Sequence, residues 1–177
     1  MPAQSTYTPI NTFTVTGSTS IITFASIPQT YTDLRMVGYI RSSASGQSTD
    51  LVDCYFNSVT TGGTYSTTMM QGNGSAASTQ SWGNVNAGYR WALAPASTAT
   101  ANIFGSFTAD IYNYSNTTTF KTMSTQSGAD LNGSGVRVNT VMMSRSTSAI
   151  SNIQVFFDTG ALFVVGSRIT LYGIAAA

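Results

Sequence analysis

The chain has no histidine, no glutamate, one lysine and one cysteine among its 177 residues. Without histidine, Ser–His–Asp and Cys–His nucleophilic sites are excluded. A Ser–Lys site would depend on Lys121, which does not stand in the S-x-x-K order of that class. A zinc site of the ordinary kind lacks its histidine and cysteine ligands. These absences predict a non-enzymatic protein with no catalytic residue, no metal and no cofactor.

Charged side chains are also scarce, at 7% of the chain against about 25% in an average soluble protein. All six acids are aspartates, and we expect all of them on the surface. Asp50 and Asp53 are three residues apart, which on a strand sends them to opposite faces, so they do not form the carboxylate pair of a glycosidase. A hydrolase is the third interpretation of the sequence.

The formal net charge is +1 and the bases are scattered, so we expect neither a nucleic-acid partner nor an anionic membrane partner. So few charges give little repulsion between copies. We therefore expect a protein that works docked in an assembly, and the alternative is a Ser/Thr-rich soluble monomer.

Cys54 is the only cysteine, so no intrachain disulfide is possible, and its apolar neighbours predict a buried, unreactive thiol. The first seven residues lack the basic and apolar regions of a signal peptide, and no apolar run reaches membrane-spanning length. We expect no signal peptide and no transmembrane segment.

Serine and threonine make up more than a quarter of the chain and alternate with β-branched and aromatic residues. Such alternation predicts strands with one buried and one hydrated face, and no stretch shows helical spacing. Connections of mixed length favour a jelly roll over an up-and-down barrel. The sequence thus predicts an all-β, antiparallel, jelly-roll-like sandwich of roughly eight to ten strands, with an N-terminal arm (1–9) and one domain (10–177).

Strand faces and turns follow from the same pattern. Hairpins are predicted around residues 16–18 and 62–63, where glycine permits a tight turn. Residues 71–80 and 128–135 read as loops, and 82–93 as an irregular aromatic segment. One shared core is predicted from Val52, Cys54, Phe56, Phe107, Ile111, Ile153, Val155, Ile169 and Leu171.

One loop imitates a calcium site. Asp130, Asn132, Ser134 and Gly135 match positions one, three, five and six of an EF-hand loop. The twelfth position is Val141, where a bidentate acid is required, and no helical pattern flanks the loop. A plain turn-rich loop is the interpretation we favour.

Both tryptophans lie in one segment, which contains Trp82, Tyr89, Arg90 and Trp91. Aromatic and arginine side chains near glycine and asparagine can form a contact surface for a protein neighbour or a sugar. They can equally fill the edge of a sandwich core. The sequence leaves both interpretations open, and these four residues are the candidate partner or glycan contacts.

Four stretches together resemble small virion proteins of tailed bacteriophages. They are ITFASIPQTYTDL (22–34), YSTTMMQGNG (65–74), IYNYSNTTTFK (111–121) and VGSRITLYGI (165–174). The resemblance implies a capsid decoration (cement) protein, a β-sandwich homotrimer on the capsid surface of the virion that binds the major capsid protein or other virion proteins and stabilises the mature shell. The alternative within the same resemblance is a head or tail fibre module that binds a host-surface glycan or receptor through the segment 82–91. No individual partner-contact residue follows from the resemblance.

Overall fold

The computed structural model describes residues 6–131 and 133–175, which form twelve strands in two antiparallel sheets. The strands are β1 (Tyr7–Thr14), β2 (Ile21–Phe24), β3 (Asp33–Ile40), β4 (Thr49–Phe56), β5 (Tyr65–Gly72), β6 (Ala77–Val85), β7 (Gly88–Pro95), β8 (Gly105–Tyr112), β9 (Lys121–Asp130), β10 (Gly135–Ser144), β11 (Ile153–Phe157) and β12 (Arg168–Ile174). The predicted all-β antiparallel sandwich is confirmed. Within these described ranges, no helix is long and apolar enough to cross a membrane.

Eight of the strands follow the path of a jelly roll. The large sheet begins β1-β12-β3-β8, and the small sheet is β2-β11-β4-β7. Early strands therefore pair with late ones, as in an antiparallel ribbon rolled into two layers. The two predicted hairpins are wrong, because β1 and β2 lie in different sheets and so do β4 and β5. Each of the two predicted turns instead carries the chain from one layer to the other.

Four further strands widen the large sheet beyond β8 in the order β9-β10-β5-β6. The total of twelve exceeds the predicted eight to ten because β6 and β7 were not recognised. Most of β6 is exposed on both faces, so its Ser, Thr, Gln and Gly residues show no apolar alternation. In β7 a bulge interrupts the alternation. The predicted loop 71–80 is too long, because β5 extends to Gly72 and β6 begins at Ala77.

The core lies between the two sheets, and all nine predicted core residues belong to one buried cluster. Phe107 packs edge-on against Trp91, with ring centroids 5.0 Å apart. Gly38 provides the space for this ring, since a Cβ there would lie 1.8 Å from Phe107 Cε1. Cys54 is buried as predicted, and desolvation raises the pKa of its thiol.

The predicted arm and loop boundaries need correction. β1 begins at Tyr7, inside the predicted arm 1–9, and residues 1–5 lie outside the described residues. β9 and β10 extend into the predicted loop 128–135, where Leu131 N–H donates to Ser134 O at 2.8 Å. Asn132 lies outside the described residues. Among those described, no group of three Asp, Glu, His or Cys side chains could hold a metal ion.

Candidate functional site

The structure separates the four candidate contact residues. Trp91 is fully buried and belongs to the main core, so the contact interpretation is wrong for this residue and the core interpretation is right. Its indole Nε1 has no hydrogen-bond partner among the described residues. Trp82, Tyr89 and Arg90 are partly exposed and lie together.

A bulge in β7 produces this separation. In the β4–β7 pairing, Val52 faces Ala92 and Cys54 faces Gly88, so three residues of β7 stand opposite Asp53 alone. Arg90 lies in the bulge with φ of +51°, a left-handed conformation that costs a non-glycine residue about 1–2 kcal/mol. The extra length turns Trp91 inward and leaves Tyr89 and Arg90 on the outside of the small sheet.

A second irregularity brings Trp82 to the same place. Between β5 and β6, Tyr65 faces Val85 and Thr67 faces Trp82, which leaves two residues of β6 opposite one of β5. Asn84 takes a φ of +57° there. Since β6 is the edge of the large sheet and β7 the edge of the small one, the connection at residues 86–87 forms a corner where the layers meet.

Trp82, Tyr89, Arg90 and Asp158 form what we call the arginine cluster. The guanidinium carbon of Arg90 lies 4.5 Å from the ring centroid of Tyr89 and 5.2 Å from that of Trp82. The two rings meet edge to face, with centroids 5.6 Å apart. Arg90 Nη2 donates to Asp158 Oδ2 at 3.0 Å. Cation–π contacts and an ion pair together hold the arginine in one position.

The buried carboxyl of Asp53 anchors the backbone of the cluster at Arg90. Its side chain is only 3% exposed, and its Oδ1 accepts a hydrogen bond from Arg90 N–H at 2.7 Å. Burial is the main cause that raises the pKa of Asp53 to about 7, and the nearby charges of Asp158 and Asp50 add to it, while the Arg90 hydrogen bond and charge oppose it. The carboxyl therefore changes charge near neutral pH while it anchors the bulge.

The expectation that all six aspartates lie on the surface is wrong for Asp50 and Asp53. Asp50 accepts hydrogen bonds from Ser42 Oγ at 2.6 Å and Thr159 Oγ1 at 2.7 Å, which satisfies it inside the fold. The alternation Val52, Cys54, Phe56 predicts Asp53 on the outer face, and it is there. Its burial could not be read from the sequence, because the β7 bulge that covers it is remote in the chain.

An aromatic band continues from the cluster across the small sheet. Tyr55 and Phe156 contact each other, with ring centroids 4.6 Å apart. Phe156 stands between Asp53 and Ile21 in the strand register, and Ile21 is exposed. The outer face of the small sheet thus carries a row of apolar side chains that ends at Arg90.

Among the described residues, the buried cations Lys121 and Arg41 have structural roles. Lys121 Nζ donates to the carbonyls of Asn116, Thr119 and Thr147. Desolvation lowers the pKa of Lys121, but its three bonds join the loop between β8 and β9 to the loop that follows β10, and none of them goes to a serine hydroxyl. Arg41 donates to the carbonyls of Ala96, Ala99, Thr100 and Ile103.

The chemistry of the arginine cluster fits a protein contact better than a sugar or a reaction. Its cationic group is engaged with a carboxylate, and the guanidinium lies over the rings of Trp82 and Tyr89, so it occupies part of the aromatic surface on which a sugar could stack. Tryptophan, tyrosine and arginine are the residues most enriched at the energetic centres of protein interfaces.

No protein family, curated protein or solved structure matches this chain.

Proposed function

We propose that this chain is a non-enzymatic structural protein of a tailed-phage virion, a capsid decoration protein that docks on the mature shell through the arginine cluster and its aromatic band. The observation that carries the proposal is the cluster itself. Trp82, Tyr89 and Arg90 are of the types that are enriched at protein interfaces, and they lie together at one corner of the fold. The buried carboxyl of Asp53 accepts the Arg90 N–H and so anchors the bulge that carries them. Because they are positioned before binding, little side-chain entropy is lost when a partner docks.

The surface chemistry supports an assembly role. A hydroxyl-rich surface can form hydrogen bonds with a partner without the large cost of desolvating ions. A shell presents many copies of the docking site, so modest contacts per subunit give strong total binding. A homotrimer on the capsid surface, bound to the major capsid protein, is the form of this proposal that the phage resemblance favours.

The resembling stretches fall on the framework of the fold. Residues 65–74 contain β5, and 165–174 contain β12. Residues 22–34 cross from β2 to β3, and 111–121 connect β8 to β9. The resemblance therefore supports the class of protein, whereas the docking surface rests on the geometry of the cluster.

Co-sedimentation with mature shells that lack the protein tests this function. Tyr89→Ala should weaken saturable shell binding by roughly tenfold, about 1.4 kcal/mol per site. Phe120→Ala removes an exposed ring from the loop between β8 and β9, which contributes no residue to the cluster, and should leave binding unchanged. Shells with bound protein should also resist heat better than bare shells, because a ligand that binds only the assembled state stabilises it.

The fibre alternative predicts a different outcome in the same variants. Saturable binding to host cells or to a glycan panel, abolished by Trp82→Ala and absent for shells, would replace the decoration proposal with receptor binding. The partial exposure of Trp82 and Tyr89 is the observation that supports this second function.

A further inference from the structure

Exposed apolar side chains concentrate on the outer face of the large sheet, on the opposite side of the molecule from the aromatic band. Strand alternation and register place six of them there: Tyr7, Val37, Tyr39, Met70, Tyr112 and Val141. They come from five of the eight strands of the large sheet, from β1 at one edge to β5 beside the other edge, so they are spread across the face. We call this surface the large-sheet face.

Hydroxyl and amide groups fill the space between the apolar side chains. Val37 is flanked by Thr108 and Thr170 on the neighbouring strands. Val141 is flanked in the same way by Ser124 and Thr68. Short uncharged groups of this kind can be covered by a partner at small desolvation cost.

Arg35 and Arg137 of the large-sheet face are both engaged within it. Arg35 and Asp110 form a bidentate pair, with N–O distances of 2.6 and 2.8 Å. Arg137 Nη2 donates to Gln126 Oε1 at 2.6 Å. Two copies of this face can therefore approach each other without burying an unmatched run of like charge.

The size of the face matches a stable interface. Eight strands spaced about 4.8 Å apart span roughly 34 Å, and strands of this length extend about 25 Å along the chain direction. The product is on the order of 850 Å², and a specific interface buries about 800 Å² on each partner. The face is thus large enough to hold a second copy without any other contact.

We propose that the large-sheet face is the self-association surface, and that its occupant is another copy of this chain. The inference rests on the assembly role in the proposed function, but it gives a two-fold pair in place of the homotrimer, because a face that packs against its own copy forms a closed dimer. It assigns the two sides of the sandwich to different partners: the large sheet to copies of the chain and the small sheet to the virion.

Sedimentation of matched lysine variants tests the assignment. Val141 on the face and Val165 in the loop before β12 are 58% and 60% exposed, so Val141→Lys and Val165→Lys make the same chemical change at similar exposure. Interfaces of this size have dissociation constants from micromolar to picomolar, so at roughly 100 µM the wild type and Val165→Lys should be oligomers. Val141→Lys should dissociate at least tenfold more readily toward the 18.6 kDa monomer while melting as a folded protein.

A thiol-protection experiment tests the same surface independently. Cys54 is buried, so the thiol introduced by Val141→Cys or Val165→Cys is the reactive one. Val141→Cys should be alkylated slowly at high protein concentration and rapidly on dilution, and Val165→Cys should react rapidly at both.

The outcomes separate this inference from its alternatives. Strand addition at the exposed edge β6 would leave the Val141→Cys thiol reactive in the oligomer, and this result would overturn the proposal. A monomeric wild type would also overturn it, and so would an oligomer that persists in Val141→Lys. A monomer that still binds shells through Tyr89 refutes the self-association surface alone. An oligomer that binds no shells refutes only the proposed function.

Discussion

Replacement of Asp53 by asparagine tests the link between the buried carboxyl and the bulge that carries Arg90. The amide oxygen of asparagine can accept the Arg90 N–H as the carboxylate does. The substitution therefore keeps the hydrogen bond but removes a buried charge. A difference in the stability of the two proteins that varies with pH would report the titration of Asp53.

The sign and size of the effect follow from the raised pKa. The pKa of Asp53 is about 7 in the fold against an ordinary value of 3.8, so the folded state holds its proton more tightly than the unfolded state. The corresponding stability is fully present below about pH 4 and is lost as the pH rises through about 7. About 3 pKa units at 1.36 kcal/mol each give a maximum of roughly 4 kcal/mol, of which about 3 should be lost between pH 4.5 and 8. Asp53 is 3% exposed, so solvent screening reduces this little.

Urea unfolding followed by tryptophan fluorescence measures this difference. Between pH 4.5 and 8, the wild type should lose roughly 3 kcal/mol relative to Asp53→Asn. The chain has no histidine, the residue that usually titrates in this range, so a large shift points to the carboxyl. A wild-type-minus-variant difference that stays constant across this pH range would refute the argument.

Three other predictions concern packing and ions. Phe107→Ala should lower the free energy of unfolding by about 3–5 kcal/mol, since the ring is buried against Trp91; a change under about 1 kcal/mol in a denaturant titration would contradict the assigned strand face. Gly38→Ala should cost about 1–3 kcal/mol by overpacking against Phe107, and a double-mutant cycle with Phe107→Ala should show that the two effects are coupled rather than additive. Addition of a chelator should change the melting temperature by less than about 5 °C, roughly 1–2.5 kcal/mol for a domain of this size. A larger drop would restore the loop at Asp130 as an ion site.

Local patterns in the sequence were sufficient for the fold class and the core. Alternation along a strand is a property of consecutive residues, so Phe107 and Ile111, or Val52 and Cys54, are assigned to a face without knowledge of their partners. The same locality explains the errors at β6. A strand that is exposed on both faces carries no apolar alternation to recognise.

Strand partners, bulges and buried charge were decided only by the tertiary structure. Whether β1 pairs with β2 or with β12 depends on contacts between distant parts of the chain. A glycine that permits a tight turn gives no information about those distant contacts. The β7 bulge exists because β4 and the core fix the positions on either side of it. It alone separates Trp91 in the core from Arg90 on the surface and covers Asp53. The composition determined which residue types the chain contains. The packing of two sheets determined where its aromatic and charged groups meet, since burial depends on neighbours that no single segment specifies.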